Sequence, residues 1–162
     1  MTTDSIHYIN TLTSLYQSLG YTPYKWVVNE DIAPFAPLKK PLSQCRVGVI
    51  ASGGIYVTGQ KAFHHKDDAS FRMIPKAVKT QDLRFSHFAY DMTDARKDPN
   101  VIFPIDTLRK LAAKGGIGEL MDHLLTFMGG IYSARKVKDD LAPRLTDRLI
   151  REKVDAVILV PA

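Results

Sequence analysis

The sequence predicts an α/β domain of three layers around a small, mainly parallel sheet, preceded by an N-terminal helix and a proline-rich extended arm. Three observations carry that prediction. Residues 46–51 (RVGVIA) form a short apolar run closed by Ser52, Gly53 and Gly54, the pattern of a strand buried on both faces. Residues 154–160 (VDAVILV) form a second run, apolar apart from Asp155. Between them Val137, Leu141, Leu145 and Leu149 recur every four residues, so a helix leads directly into a buried strand, the order that βαβ units require.

The elements follow in order along the chain. Ile6, Ile9, Leu12, Leu15 and Tyr16 lie three or four residues apart, which predicts an amphipathic helix over residues 4–19, capped by Asp4 or Ser5 and stopped by Gly20. Prolines 23, 34, 37 and 41 keep the next segment extended, with Tyr24, Trp26 and Phe35 as its aromatic ballast. The chain therefore divides into a helix and arm, residues 1–41, and an α/β domain, residues 42–162. Within the domain, 83–86 and 101–103 are read as short strands. A helix starts at 104–106 with Leu108, Leu111 and Ala112 inward and ends at Gly115 and Gly116. A third, short helix is expected over 117–125. The helix running to Lys153 contains Pro143, which fits only within a first turn.

At 162 residues, with 45% hydrophobic and 24% charged residues, the composition is that of one packed domain and excludes a disordered chain. Twenty-two Lys and Arg against 17 Asp and Glu give a net charge of +5, scattered rather than blocked. No basic helix or basic-aromatic interleaving points to nucleic acid. No run of 18 apolar residues points to a membrane, and the N-terminus lacks a signal pattern. The single cysteine, Cys45, excludes an internal disulfide framework, so a cytoplasmic location is expected.

Candidate chemistry clusters after the strands. Ser52, Gly53 and Gly54 follow the first strand, where a diglycine turn can present amide N–H groups to a carboxylate or phosphate; the plain alternative is a turn. Ser86 and His87 close a later strand, with Tyr90, Asp91, Asp94 and Asp98 following. Carboxylates beside the imidazole would raise its pKa and let it act as an acid; the plain alternative is a histidine bonded to backbone. Arg72, after Ser70 and Phe71, offers a planar fork to a carboxylate, or a surface ion pair. His64, His65, Asp67 and Asp68 carry ligand atoms without a metal-site spacing and read as a solvated loop. Phe127, Met128, Gly129 and Gly130 read as core followed by a turn, or as a pocket wall. Cys45 has no activating neighbour in sequence.

Taken together and in order, residues 46–60 (RVGVIASGGIYVTGQ), 70–75 (SFRMIP), 83–118, 126–131 (TFMGGI) and 154–162 (VDAVILVPA) resemble the glycine/sarcosine/betaine reductase selenoprotein B family, which includes the D-proline reductase subunit. The resemblance covers about residues 36–162. It implies a part in reductive cleavage of a carbon–nitrogen bond in a small amino acid or betaine, within a complex of several subunits that includes, for some substrates, a pyruvoyl-bearing partner.

In that family a cysteine or selenocysteine follows a strand like 154–160, so the resemblance implies a chalcogen nucleophile downstream of Ala162 and no cofactor within the chain itself. Two explanations stand: a sequence that continues past a selenocysteine codon or is shortened, and a short chain acting as a non-catalytic ligand-binding or assembly subunit, with homo-oligomer contacts through its arm or sheet edge. On the resemblance, Ser52, Gly53, Gly54 and Arg72 are the positions expected to hold a substrate carboxylate. Ser86, His87 and Asp91 are those expected to contact the substrate or pass a proton to the departing amine.

Overall fold

Strand β1 (Arg46–Ala51) organises the sheet in a computed structural model of the protein, which describes residues 8–23 and 27–162. Its Val47, Val49 and Ala51 are buried, and it has neighbours on both edges. The following strands are β2 (Ile55–Val57), β3 (Phe71–Pro75), β4 (Leu83–Phe85), β5 (Glu119–Leu120), β6 (His123–Phe127) and β7 (Ala156–Val160). Five of them form one sheet among the described residues. β1 runs parallel to β7 along its whole length, from Val47↔Ala156 to Ala51↔Val160. On the other edge it pairs in parallel first with β5 (Arg46↔Glu119, Val47↔Leu120) and then with β6 (Ile50↔Leu125, Ala51↔Thr126). β3 closes that side, antiparallel to β6. The fold is α/β with a small, mostly parallel sheet, as the sequence predicts.

Each face of the sheet is covered by a different element. On the face of Ala51, its register partner Thr126 donates its hydroxyl to the Ile55 carbonyl, so the antiparallel β2–β4 pair docks there through a buried hydrogen bond. On the opposite face stands Gly48. A methyl built on it would lie 2.9 Å from Leu149 Cδ2, so the absent side chain lets helix α5 (Ala142–Arg151) approach the sheet closely. Phe103, Ile105, Leu124 and Leu125 complete the fully buried core. Helix α3 (Ile105–Ala113) is fixed by Arg109, whose guanidinium donates to the Lys76 and Val78 carbonyls and pairs with Asp106 at 2.7 Å. Asp106 in turn accepts from Thr80 and Asn100.

The amino ends of the parallel strands carry an ionic cluster. Arg46 meets Glu119 at 2.7 Å and Asp122 at 3.0 Å, Lys76 meets Asp122 at 2.7 Å, and Lys40 meets Asp155 at 2.8 Å. Lys76 first and Arg46 second hold the Asp122 carboxyl below its ordinary range, and Lys40 does the same for Asp155.

The helix predicted to end at Lys153 forms, with Leu141 and Leu145 buried as the four-residue spacing requires. Pro143 lies in the first turn of α5, where a missing N–H is tolerated. Short helix α4 (Ala134–Lys136) precedes it, and one π turn (Val137–Leu141) joins α4 to α5. That wider turn reorganises the ladder just ahead of the residue that has no N–H to donate. The helix expected over 117–125 is absent: β5 and β6 occupy it. Residues 101–103 are no strand: Val101 ends a 3₁₀ turn (Pro99–Val101) and Ile102 caps it, because Asp98 accepts from the Asn100 amide and Pro104 caps the next helix. Leu111 is exposed, the inner face of α3 being set by Ile105 and Leu108.

The chain divides into two units, residues 1–35 and 36–162. In the first, helix α1 (Tyr8–Ser18) ends ahead of Gly20, whose φ of +80° reverses the chain. Ile9, Leu15 and Tyr16 are exposed on it. The predicted caps Asp4 and Ser5, with Ile6, Tyr24 and Trp26, lie outside the described residues.

Candidate functional site

Three loops meet at the carboxyl ends of β1, β6 and β7. The first, Ser52–Gly54, leaves β1 and is bound on both sides: the Ser52 amide donates to the Val160 carbonyl and the Gly54 amide to the Phe127 carbonyl. The second, Met128–Gly130, lies across it, with Gly53 bridging Met128 and the Gly129 amide donating to the Ser52 carbonyl at 2.8 Å. The third, Ser86–Tyr90, is fastened by the Ser86 amide to the Gly54 carbonyl and by the Tyr90 hydroxyl to the Gly53 carbonyl at 2.9 Å. Gly54 must be glycine for this convergence: its φ is +66°, and a methyl there would stand 2.1 Å from the Ser86 carbonyl oxygen.

The amides of Ser52 and Gly54 are therefore engaged in backbone pairing and do not form the open anion cradle expected from the diglycine turn. Side chains offer donors instead. The Ser52 hydroxyl oxygen accepts from the Ala162 amide at 3.0 Å, which leaves its own proton to donate. His87 lies between two aromatic rings, Tyr90 at 4.6 Å and Phe88 at 5.7 Å, and Phe88 stacks on Tyr132 at 6.3 Å. Nδ1 of His87 accepts from the Ala89 amide at 3.0 Å. Its other nitrogen, Nε2, is buried and has no hydrogen-bond partner among the described residues.

Burial pushes the His87 imidazolium pKa below its ordinary value. The sequence expectation was the reverse, a pKa raised by nearby carboxylates. The physical reason is the placement of Asp91: its carboxylate accepts from the amide and hydroxyl of Thr93, the first residue of the short helix α2 (Thr93–Lys97), and is held low by those bonds. Asp94 pairs with Lys97, and Asp98 bonds Asn100. None of the three contributes to the shift at His87.

Ser86 reaches away from His87, donating its hydroxyl to the Phe63 carbonyl at 3.1 Å. Arg72 sits over that same Phe63 ring, 4.2 Å from its centroid, and directs its N–H groups to the Lys61, Ala62 and Phe71 carbonyls and the Ser70 hydroxyl. It is a tie between loop segments. The structure thus brings together Ser52, Gly53, Gly54, Ser86 and His87, and gives Arg72 and Asp91 local partners.

Tyr90 and Gly129, named from sequence only as a neighbour of His87 and as part of a turn or pocket wall, are the residues whose specific contacts the structure supplies. A methyl on Gly129 would stand 3.2 Å from Ser52 Cβ and 3.4 Å from His87 Nε2, so this glycine keeps open the space between the two donors. The only sequence signal for it was the Gly129–Gly130 pair itself.

Cys45 is fully buried at the opposite end of β1, its thiol directed at the Lys40 and Pro41 carbonyls. Seven strand residues at 3.3 Å each put it roughly 20 Å from Ser52. The His64 and His65 rings meet at a tilt, centroids 4.4 Å apart, in a loop whose Asp68 accepts from the His64 and Ser70 amides. Among the described residues no helix is long and apolar enough to cross a membrane.

A mostly parallel sheet with three loops converging at its carboxyl end is the architecture of an α/β domain, and that end is where such sheets commonly carry their sites. The chain belongs to the glycine/sarcosine/betaine reductase selenoprotein B family, whose model matches residues 11–162. It is 36% identical over 125 residues to D-proline reductase subunit gamma of Acetoanaerobium sticklandii, an alignment covering 77% of this chain and 52% of that protein. It is 29% identical over 134 residues to sarcosine reductase complex component B subunit beta of Peptoclostridium acidaminophilum, covering 80% of this chain and 30% of the relative. It is 30% identical over 134 residues to glycine reductase complex component B subunit gamma of Symbiobacterium thermophilum, with 80% and 31% covered. The chain thus spans about half the length of the first relative and under a third of the other two. No solved structure matches it.

Proposed function

We propose that this chain is the substrate-holding part of an oxidoreductase that cleaves the carbon–nitrogen bond of a small amino acid or betaine, acting in a complex with other reductase subunits. The observation that carries this reading is the meeting of Ser52–Gly54, Ser86–Tyr90 and Met128–Gly130 at one end of the sheet. Family membership supplies the reaction class.

A low-pKa sulfur or selenium, when present, supplies the displacement of the amine from carbon. Cys45 is unsuited to that part by burial and distance, so the chalcogen comes from residues outside these 162, as cysteine or selenocysteine. A pyruvoyl group on a partner subunit would serve primary and secondary amines. The residues of this chain bind and orient. Ser52 and His87 offer hydrogen-bond donors, Gly53 and Gly54 let the loops close on one another, and Ser86 ties the His87 loop to Phe63. Arg72 and Asp91 hold the outer loops in shape. The protein works in the cytoplasm on this reading.

The test is amine release from glycine, sarcosine, betaine and D-proline, with a dithiol reductant and the candidate partner subunits supplied. Release that falls at least tenfold in His87→Ala supports the proposal. Unchanged turnover in both His87→Ala and Ser52→Ala removes these residues from it. Stoichiometric association with a partner but no amine release with any substrate replaces it with the assembly reading, in which the exposed edge of β7, bearing Val157 and Leu159, is the contact.

A further inference from the structure

We infer that His87 and Ser52 act as a pair of neutral donors that grip one carboxylate of the ligand, through His87 Nε2–H and Ser52 Oγ–H, over the floor left open by Gly129. The inference rests on the reading above for the ligand being a small amino acid or betaine. The geometry itself asks only for a compact anion with acceptor oxygens.

The tautomer follows from one hydrogen bond. The Ala89 amide can only donate, so His87 Nδ1 accepts and carries no proton. In the neutral ring the proton is then on Nε2, which makes that atom a donor. It is buried with no acceptor among the described residues, a state that costs free energy until an acceptor arrives. Burial between rings disfavours the imidazolium, which keeps the donor neutral near pH 7. This changes the part given to His87 at the level of sequence: it holds an oxygen and does not hand a proton to a departing amine.

Ser52 supplies the second donor by the same accounting. Its oxygen already accepts from the Ala162 amide, and no acceptor for its proton is found among the described residues. The neighbouring Tyr90 hydroxyl is taken by the Gly53 carbonyl, so it does not compete. A single methyl position, that of an alanine at 129, touches both Ser52 Cβ and His87 Nε2, which places the two donors around one small volume.

The ligand class follows from the charge. Arg72, the cation expected there from sequence, directs its N–H groups to carbonyls and to Ser70. Two neutral donors without a guanidinium suit a singly charged carboxylate. A phosphate dianion calls for arginine or lysine.

The experiment is ¹⁵N–¹H correlation spectroscopy of the histidine-labelled 162-residue chain at pH 7, titrated separately with propionate, ethylamine and inorganic phosphate. The expected result is His87 in the Nε2–H form, with Nε2 moved by propionate and not by the other two. Ser52→Ala weakens the propionate response about tenfold, the loss of one hydrogen bond to a charged group. Gly129→Ala abolishes it while the His87 signals keep the Nε2–H pattern, which shows that the loop is intact. His87 found with its proton on Nδ1, or a larger response to ethylamine or phosphate than to propionate, overturns the inference. So does a propionate affinity unchanged in both variants.

The two proposals fail separately. Carboxylate binding with no amine release in the complete complex leaves the donor pair and removes the reductase reading. Amine release that survives Ser52→Ala and Gly129→Ala unchanged does the opposite.

Discussion

Replacing Gly54 with alanine tests the convergence of loops most directly, because two separable costs fall on one residue. The first is conformational: at φ +66° an L-residue loses about 1–2 kcal/mol relative to glycine. The second is steric: the new methyl would stand 2.1 Å from the Ser86 carbonyl oxygen, backbone that cannot rotate away, and overpacking of that kind costs about 1–3 kcal/mol. Together they predict a loss of about 2–5 kcal/mol, a large part of the roughly 5–15 kcal/mol that holds a domain folded. Gly59 is the internal control. Its φ is +94°, but nothing lies within 4 Å of a methyl there, so Gly59→Ala carries the conformational cost alone. Urea unfolding of the two variants, compared at equal slope, isolates the clash. A Gly54→Ala protein no less stable than Gly59→Ala would show that the Ser86 carbonyl does not close on this turn, and the shared site would lose its geometric basis.

Other outcomes follow from single contacts. Thr126→Val keeps the side-chain shape but strands the buried Ile55 carbonyl, at a cost of about 1–3 kcal/mol in the same unfolding assay. Phe103→Ala, at a fully buried position, costs about 3–5 kcal/mol. His87 has a folded pKa below its unfolded one, so the unfolded chain binds the extra proton and stability falls as pH drops below about 6.5; His87→Gln flattens the unfolding midpoint between pH 5 and 7. Asp106 is depressed by Asn100 first and then Thr80, and Asp122 and Asp155 by Lys76 and Lys40. Their contribution is complete above about pH 4 and is lost as pH falls through their lower folded values, and Asp106→Asn removes part of that acid-limb loss.

What the sequence made legible is the part of the fold governed by local pattern. RVGVIA and VDAVILV had no periodicity except apolar runs of strand length, and Leu141 and Leu145 repeated at a helical interval over enough turns to decide the matter. Residues 117–125 misled for a physical reason. Ile117, Leu120, Met121, Leu124 and Leu125 are spaced as a helix face, yet strands covered on both sides also present apolar neighbours, and Leu124 and Leu125 are both fully buried.

Strand β3 was hidden by Arg72 and Pro75 within five residues, which its place at the sheet margin permits. At the site, Ser52, Gly53, Gly54, Ser86 and His87 were visible because each follows a strand. The local partners of Arg72 and Asp91, the Lys61 and Ala62 carbonyls and Thr93, were not legible because loop conformation rather than residue type chooses them. Gly129 was unreadable as a partner of His87, since that proximity exists only after β1 and β6 pair.

The two residues that separate β5 from β6, Met121 and Asp122, act as a counting mark for everything beyond them. β5 and β6 share one neighbour, so the length of that gap sets which residue of β6 faces which residue of β1. Side chains alternate along a strand, and deleting one of the pair would turn Thr126 to the far face and carry Gly129 out of step with Ser52. A change of length in that two-residue joint would therefore disperse the converging loops without altering any of their residues, whereas the outer loops do not set the register of β6 on β1.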